Sequence, residues 1–278
     1  MSLLDSVTSV LFVHAHPDDE TISTGGLIAH LAGRGIRVSL VTATRGERGE
    51  VVAGPLSPLA GTPALAEERE RELERAARAL GVDESFWLGE APARAPGLPP
   101  RRYRDSGMEW IRPGLAGPAP DSEMDALARA PLAEVTDDLI AVLQQVRPDL
   151  VISYDATGGY GHPDHVRVHD AAVAASRRLA IPYAEILDTP AADAEWFGFE
   201  AQHDTLVVAL RCHASQLTVD GEYIVHSGGQ RDPIRTAVGL RLRQPKTPRE
   251  NTSGRPVGGL MRSNKTACDR TDGGDAGN

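Results

Sequence analysis

The chain has 278 residues, a formal net charge of −10 and 41% hydrophobic residues, so one large domain or one domain with an appendage is expected. That apolar content can build a sizeable core and excludes a fully disordered chain. The acidic balance and only 4% aromatic residues argue against nucleic acid as a partner, since a phosphate backbone wants cations and single strands want stacking platforms. No apolar run approaches the ~20 residues of a bilayer span, and no positively charged n-region precedes the first apolar stretch. Two cysteines, Cys212 and Cys268, are too few for a disulfide framework. A soluble, cytoplasmic protein without membrane insertion is the expectation.

Residues 10–14 read as a short buried strand ending in a polar cluster. Residues 25–32 follow as a helix, with Gly33 and Gly35 as stop signals. Residues 36–43, rich in β-branched side chains, read as a second buried strand. A long amphipathic helix spans 63–80, with Glu67, Glu68, Glu70, Arg71 and Glu74 on its charged face and Gly81 at its end. Residues 85–88 give a third strand. This alternation predicts βαβ crossovers and an α/β fold with a Rossmann-like, mostly parallel sheet flanked by helices.

Residues 91–122 break the rhythm with seven prolines and read as a long loop, a length that in compact domains points to function. A helix over 132–146 ends at Arg147-Pro148, and residues 149–154 form a fourth strand. Gly158-Gly159 and a helix over 163–179 follow. Two further strands are expected at 184–187 and 205–210, then a short helix with His213, Ser215 and Gln216. Beyond residue 242 glycine, proline, lysine and arginine dominate. Residues 1–242 therefore read as one domain and 243–278 as a disordered basic tail.

Two short segments are alike: His16-Pro17-Asp18-Asp19 and His162-Pro163-Asp164-His165. Each follows a predicted parallel strand and opens a turn into a helix. Open α/β sheets bind ligands outside the carboxyl ends of their strands, so the two segments can meet in one crevice. Alone, either segment is explained by capping and surface polarity; together, after two strand ends, they read as a site. A metal accounts for the collection. His16 and Asp19 are three apart, and His165 completes a set of two imidazoles and one carboxylate with an open position, which suits catalytic zinc. Fe(II) takes the same ligands. Asp18 and His162 then stand beside the ion, Asp18 as base and His162 as acid or oxyanion stabiliser, with Asp164 orienting His162.

His14-Ala15-His16-Pro17-Asp18-Asp19-Glu20 resembles the signature of the LmbE/PIG-L family of metal-dependent N-deacetylases. Tyr154-Asp155 and Gly158-Gly159-Tyr160-Gly161-His162-Pro163-Asp164-His165 resemble the second motif of its actinobacterial mycothiol enzymes, in particular the N-acetylglucosaminyl-inositol deacetylases. The resemblance covers most of residues 8–240. It implies an LmbE-like fold, His16, Asp19 and His165 as metal ligands, Asp18 as general base, and His162 as general acid or oxyanion stabiliser. Tyr160 would help polarise the substrate carbonyl. The segment from Tyr103 to Met108 matches one whose aspartate, here Asp105, contacts the substrate polyol, and Arg69 matches an arginine of the same pocket. The implied reaction is zinc-dependent hydrolysis of the acetamide of a small amino-sugar substrate.

The nearest alternatives are an amidase of mycothiol conjugates and a deacetylase of a glycosylated natural product, which differ in their pocket loops. From other classes come a non-haem iron oxygenase, against which the α/β rhythm argues, and a non-catalytic sugar-binding protein, which would need neither Asp18 nor His162. The run from Thr44 to Glu50 is expected to be a solvated charge run beside the crevice. His14 and His213 are expected to be structural.

Overall fold

The computed structural model describes residues 2–243. Strand β1 (Ser9–His14) leads into α1 (Asp19–Gly33), β2 (Arg37–Thr42), α2 (Pro63–Leu80) and β3 (Glu84–Trp87). A hairpin of β4 (Met108–Arg112) and β5 (Leu115–Pro118) precedes α3 (Leu132–Val146) and β6 (Leu150–Ser153). The single turn α4 (Gly158–Gly161), α5 (Pro163–Leu179) and β7 (Tyr183–Leu187) follow. Next come β8 (Glu195–Gly198), α6 (His203–Leu210), β9 (Leu217–Asp220), β10 (Tyr223–His226), β11 (Arg231–Pro233) and β12 (Ala237–Arg243).

Seven strands form one sheet in the order β3-β2-β1-β6-β7-β12-β8. The first five run parallel, and β12 lies antiparallel between β7 and β8. The α/β fold and the mostly parallel sheet expected from the alternation are both present. Every residue of β1 is buried, as a central parallel strand covered on both faces requires. Its alternate side chains divide between two cores. Leu11 and Val13 pack with Val135 and Leu139 of α3 and Val168 and Ala171 of α5, while Val10 and Phe12 pack with Leu27 and Leu31 of α1 and Leu73 and Leu80 of α2.

Local signals account for the helix bounds. Pro63 opens α2 after an extended Thr62, and Gly81 closes it in the left-handed region at φ 81°. Helices α3 and α5 likewise keep the bounds that the sequence predicts. Four expectations need correction. The first helix begins at Asp19, six residues before the expected start at 25. The proline-rich stretch holds the β4–β5 hairpin. Residues 205–210 are helical, because Leu206, Ala209 and Leu210 bury one side at helical spacing within an apolar run too short to reveal its period. His213, Ser215 and Gln216 lie on turns between α6 and β9. The tail expected from residue 243 lies outside the described residues, apart from Arg243, which pairs with Tyr183. No helix among the described residues is long and apolar enough to cross a membrane.

The strand order turns back between β1 and β6, neighbours whose carboxyl ends open on one crevice. Phe12, fully buried in β1, should be a sensitive probe of this frame. Phe12→Ala is expected to lower unfolding free energy by about 3–5 kcal/mol, read from urea denaturation midpoints. A loss below about 1 kcal/mol would show that the α1 side of the sheet is not closely packed there.

Candidate active site

The two His-Pro-Asp segments meet where the switch in strand order predicts. One oxygen lies at their junction. Asp19 Oδ2 is 3.2 Å from His16 Nδ1 and 3.3 Å from His165 Nε2. It is fixed from behind by the Tyr154 hydroxyl at 2.7 Å and the His16 N–H at 2.9 Å. Tyr154 also accepts the Ala15 N–H at 2.8 Å, and its ring stacks on His165 at 4.1 Å between centroids. His165 Nδ1 meets the Gly158 carbonyl at 3.2 Å, which directs Nε2 toward Asp19. Gly158, at φ 64°, is required there, because a Cβ would meet His165 Cβ at 2.8 Å and the Val166 nitrogen at 2.9 Å.

Asp18 begins α1 with φ 110°, a left-handed value rare outside glycine. Glu20 Oε2 accepts its N–H at 3.0 Å, and the Thr21 and Ile22 amides bond its carbonyl. Its carboxylate meets Arg69 Nη2 at 3.2 Å. Burial, outweighing the Arg69 guanidinium, raises the Asp18 carboxyl to about 6. Arg69 lies on the buried side of α2. It is buried, and its guanidinium also donates to the carbonyls of Gly46 and Pro17.

The second segment presents His162 and Asp164 differently from expectation. His162 Nδ1 accepts the Asp164 backbone N–H at 3.1 Å, so a neutral ring carries its proton on Nε2. Burial, with His16 and His165 nearby, holds the His162 imidazole well below its usual pKa and therefore neutral. The Asp164 carboxylate stays within 4.8 Å of a His162 nitrogen but makes its hydrogen bonds elsewhere. It lies 3.2 Å from His16 Nε2 and accepts the Ser106 N–H at 2.9 Å and the Ser106 hydroxyl. Asp164 thus orients His162 through its backbone alone.

Asp105 Oδ1 is 3.7 Å from His16 Nε2 and accepts the Gly107 N–H at 2.8 Å, while Oδ2 accepts the Arg48 N–H at 3.2 Å. Tyr160 is part-exposed, its ring centroid 5.2 Å from that of His165 and 6.1 Å from that of His162. Desolvation and the carboxylates of Asp19, Asp18 and Asp105 raise its phenol well above the usual range, so it keeps its proton.

The donor set suits a cation. Burial opposes charge on His16, yet Asp105, Asp164 and Asp19 together raise its pKa well above the usual value. Against the buried carboxylates stand Arg69 and that one imidazole. His165 Nε2 is buried without a hydrogen-bond partner. Asp19 Oδ2 lies 3.2 Å from His16 Nδ1 and 3.3 Å from His165 Nε2, the donor types that zinc takes, though the three atoms are not all within 4.8 Å of one another. Donor atoms of His16, His162 and His165 also lie within 4.8 Å of one another, as do those of His16, Asp105, His162 and Asp164. Asp19, which falls in neither grouping, contacts His16 and His165, whereas His162 is held by Asp164.

Several side chains that the motifs contain, but that the sequence left without a role, also hold the site together. Ser106 and Tyr154 brace the site directly. His213 is structural, as expected: Nε2 meets Glu20 Oε1 and Thr21 Oγ1, both at 3.0 Å. His14 is structural too; burial lowers it to about 4, and Nε2 meets Thr24 Oγ1 at 3.1 Å. The run from Thr44 to Glu50 is not simply solvated. Arg45 is buried, lies over the Trp87 ring at 4.1 Å and pairs with Glu70 and Glu90.

Residues 11–176 match the family model of PIG-L, GlcNAc-PI de-N-acetylase. The chain belongs to the PIG-L family. A relative from Saccharomonospora viridis, 1D-myo-inositol 2-acetamido-2-deoxy-alpha-D-glucopyranoside deacetylase, is 35% identical over 90% of this chain and 100% of its own length. The enzyme of that name from Kineococcus radiotolerans is 48% identical over 172 residues, 62% of this chain. That match covers 45% of the relative, so it spans about half the relative's length. Among solved structures, N,N'-diacetylchitobiose deacetylase from Pyrococcus horikoshii shares the fold with a TM-score of 0.58 and 23% identity, over 86% of this chain and 85% of that one.

In this PIG-L chain the Tyr154 hydroxyl should matter through Asp19. Tyr154→Phe keeps the ring on His165 but removes the donor. It is expected to weaken binding of added Zn²⁺ by about 10- to 100-fold with an unchanged circular dichroism spectrum. Unaltered affinity in calorimetric titration would show that Asp19 needs no such orientation.

Proposed function

We propose that this chain is a metal-dependent N-deacetylase that hydrolyses the acetamide of an N-acetylated amino sugar, N-acetylglucosaminyl-inositol, giving the free amine and acetate. The observation behind this reading is the convergence of Asp18, His162 and Tyr160 on the His16–Asp19–His165 cluster, in a chain 35% identical along its length to a deacetylase of that substrate. We assign His16, Asp19 and His165 as ligands of zinc or, with the same donors, Fe(II). The bound ion would polarise the amide carbonyl and lower the pKa of the attacking water.

Asp18 takes the proton from that water, since a carboxyl raised to about 6 is matched to proton transfer near neutrality. Arg69 holds the accepting oxygen in place. The same proton then goes to the amine nitrogen as the C–N bond breaks, so acetate and amine leave with water's atoms accounted for. His162 donates from Nε2 to the developing oxyanion, a task for a neutral ring whose Nδ1 is already occupied. Tyr160, kept as a phenol, supplies a second donor to that oxygen. Asp105, with both oxygens anchored to backbone N–H groups, offers its remaining lone pairs to a substrate hydroxyl.

Incubating the zinc- or iron-loaded full chain with N-acetylglucosaminyl-inositol should release acetate and a primary amine in equal amounts. Release of neither with either metal overturns the reading. Asp18→Ala is expected to keep its metal and lose roughly 10²–10⁴-fold in kcat; near-normal turnover would remove Asp18 as the base. His165→Ala should lose metal and activity together, and full metal content by elemental analysis would reject it as a ligand.

A further inference from the structure

Neither His-Pro-Asp segment accounts for the β4–β5 hairpin, yet the hairpin is built onto the site. At its base Ser106 is bonded through its N–H and hydroxyl to Asp164. On its other side β5 lies against the turn that carries Tyr160 and His162. A Cβ at Gly161, which has φ 91°, would meet the Ala116 carbonyl at 2.8 Å and the Leu115 side chain at 3.0 Å. The hairpin is therefore seated on the elements that hold the catalytic side chains.

Trp110 stands on β4 with 52% of its surface exposed. Its ring centroid is 5.6 Å from that of Tyr160, with the two planes 35° apart. Tyr160 in turn adjoins His165 and His162, so one ring separates Trp110 from the candidate centre. A register shift between Trp110 and Arg112 marks a bulge, a device that re-aims side chains beside active sites. Leaving an indole half in water forgoes burial of a large apolar surface, and here that surface lies one ring from the site, beside the exposed Ile111. The surroundings are charged: Glu109 and Arg112 are exposed on the same strand, and Arg48 reaches Asp121 at the hairpin's flank.

We propose that Trp110, with Tyr160, forms the platform for the second ring of the substrate, a six-membered polyol ring linked to the reacting amino sugar. Such a ring, cyclitol or pyranose, has an apolar C–H face to lay on the indole and hydroxyls at its edge for the charged neighbours. An alkyl chain would find the first and be opposed by the second. The inference rests on the deacetylase reading and names what that site selects.

The test compares wild type, Trp110→Phe and Trp110→Ala, all full-length and metal-loaded. Four N-acetylglucosaminides serve: the free monosaccharide, its inositol glycoside, N,N'-diacetylchitobiose and its octyl glycoside. Trp110→Ala is expected to lower kcat/KM for the two-ring substrates about tenfold relative to the monosaccharide, mainly through KM, with Trp110→Phe retaining most of the preference. A drop on only one two-ring substrate identifies the ring preferred. Equal losses on all four, no loss on any, or the largest loss on the octyl glycoside overturns the proposal. If wild type releases no acetate from any of them, the deacetylase reading fails instead. Binding of glucosaminyl-inositol, read as fluorescence quenching present in wild type and absent in Trp110→Phe, still decides whether Trp110 meets a ring.

Discussion

A buried carboxylate is costly unless its charge is answered, and the candidate centre is organised around that constraint at Asp19. One of its oxygens receives the Tyr154 hydroxyl and the His16 amide, and lies between two imidazoles. These partners come from β1's end, β6's end and the start of α5, so they assemble only if β1 and β6 are neighbours. The strand order and the ligand geometry are thus one requirement. Two apolar cores on either face of β1 hold the strand ends in register while the polar groups gather beyond them.

Around this centre lies a second set of bonds whose common effect is to hold Asp18 in an unfavourable backbone conformation. Glu20 fixes the Asp18 amide and is itself held by His213 and Thr21. Arg69 fixes the carboxylate and ties Pro17 to Gly46. Ser215, two residues after His213, binds both oxygens of Glu72 one helical turn beyond Arg69. The turn after α6, the α2 helix and the loop after β2 therefore brace the same residue. Such bracing gives a physical reason for polar side chains on the buried face of α2.

The legible parts of the fold were those written in local chemistry. Pro63 and Gly81 delimit α2, Arg147-Pro148 ends α3, and Pro163 opens α5 after His162. Runs whose state depends on what covers them were not legible: α6 ends in five apolar residues that could be either element, and β4–β5 hides among prolines. The site divides the same way. Residue types and spacing pointed to His16, Asp19 and His165 before their proximity was visible. The direction of the Asp164 carboxylate was not written locally, because its partners His16 and Ser106 are 148 and 58 residues away. Arg45 looked solvated for the same reason, its partners Glu70 and Glu90 lying on other elements.

The electrostatic layout has a direction that fits a reaction passing from cation to oxyanion. The carboxylates of Asp19, Asp105 and Asp164 gather around His16, a concentration of negative charge that attracts a cation. Beside them stand groups kept neutral: His162, whose burial beside two imidazoles disfavours its charge, and Tyr160, whose desolvation and neighbouring carboxylates disfavour loss of its proton. Neutral N–H and O–H donors stabilise an oxyanion without competing with a metal ion for those carboxylates. Asp18 differs from both, its carboxyl near 6 because burial and Arg69 act against each other. A stronger Arg69 contact would lower that value, and deeper burial alone would raise it. The buried guanidinium therefore tunes the Asp18 carboxyl.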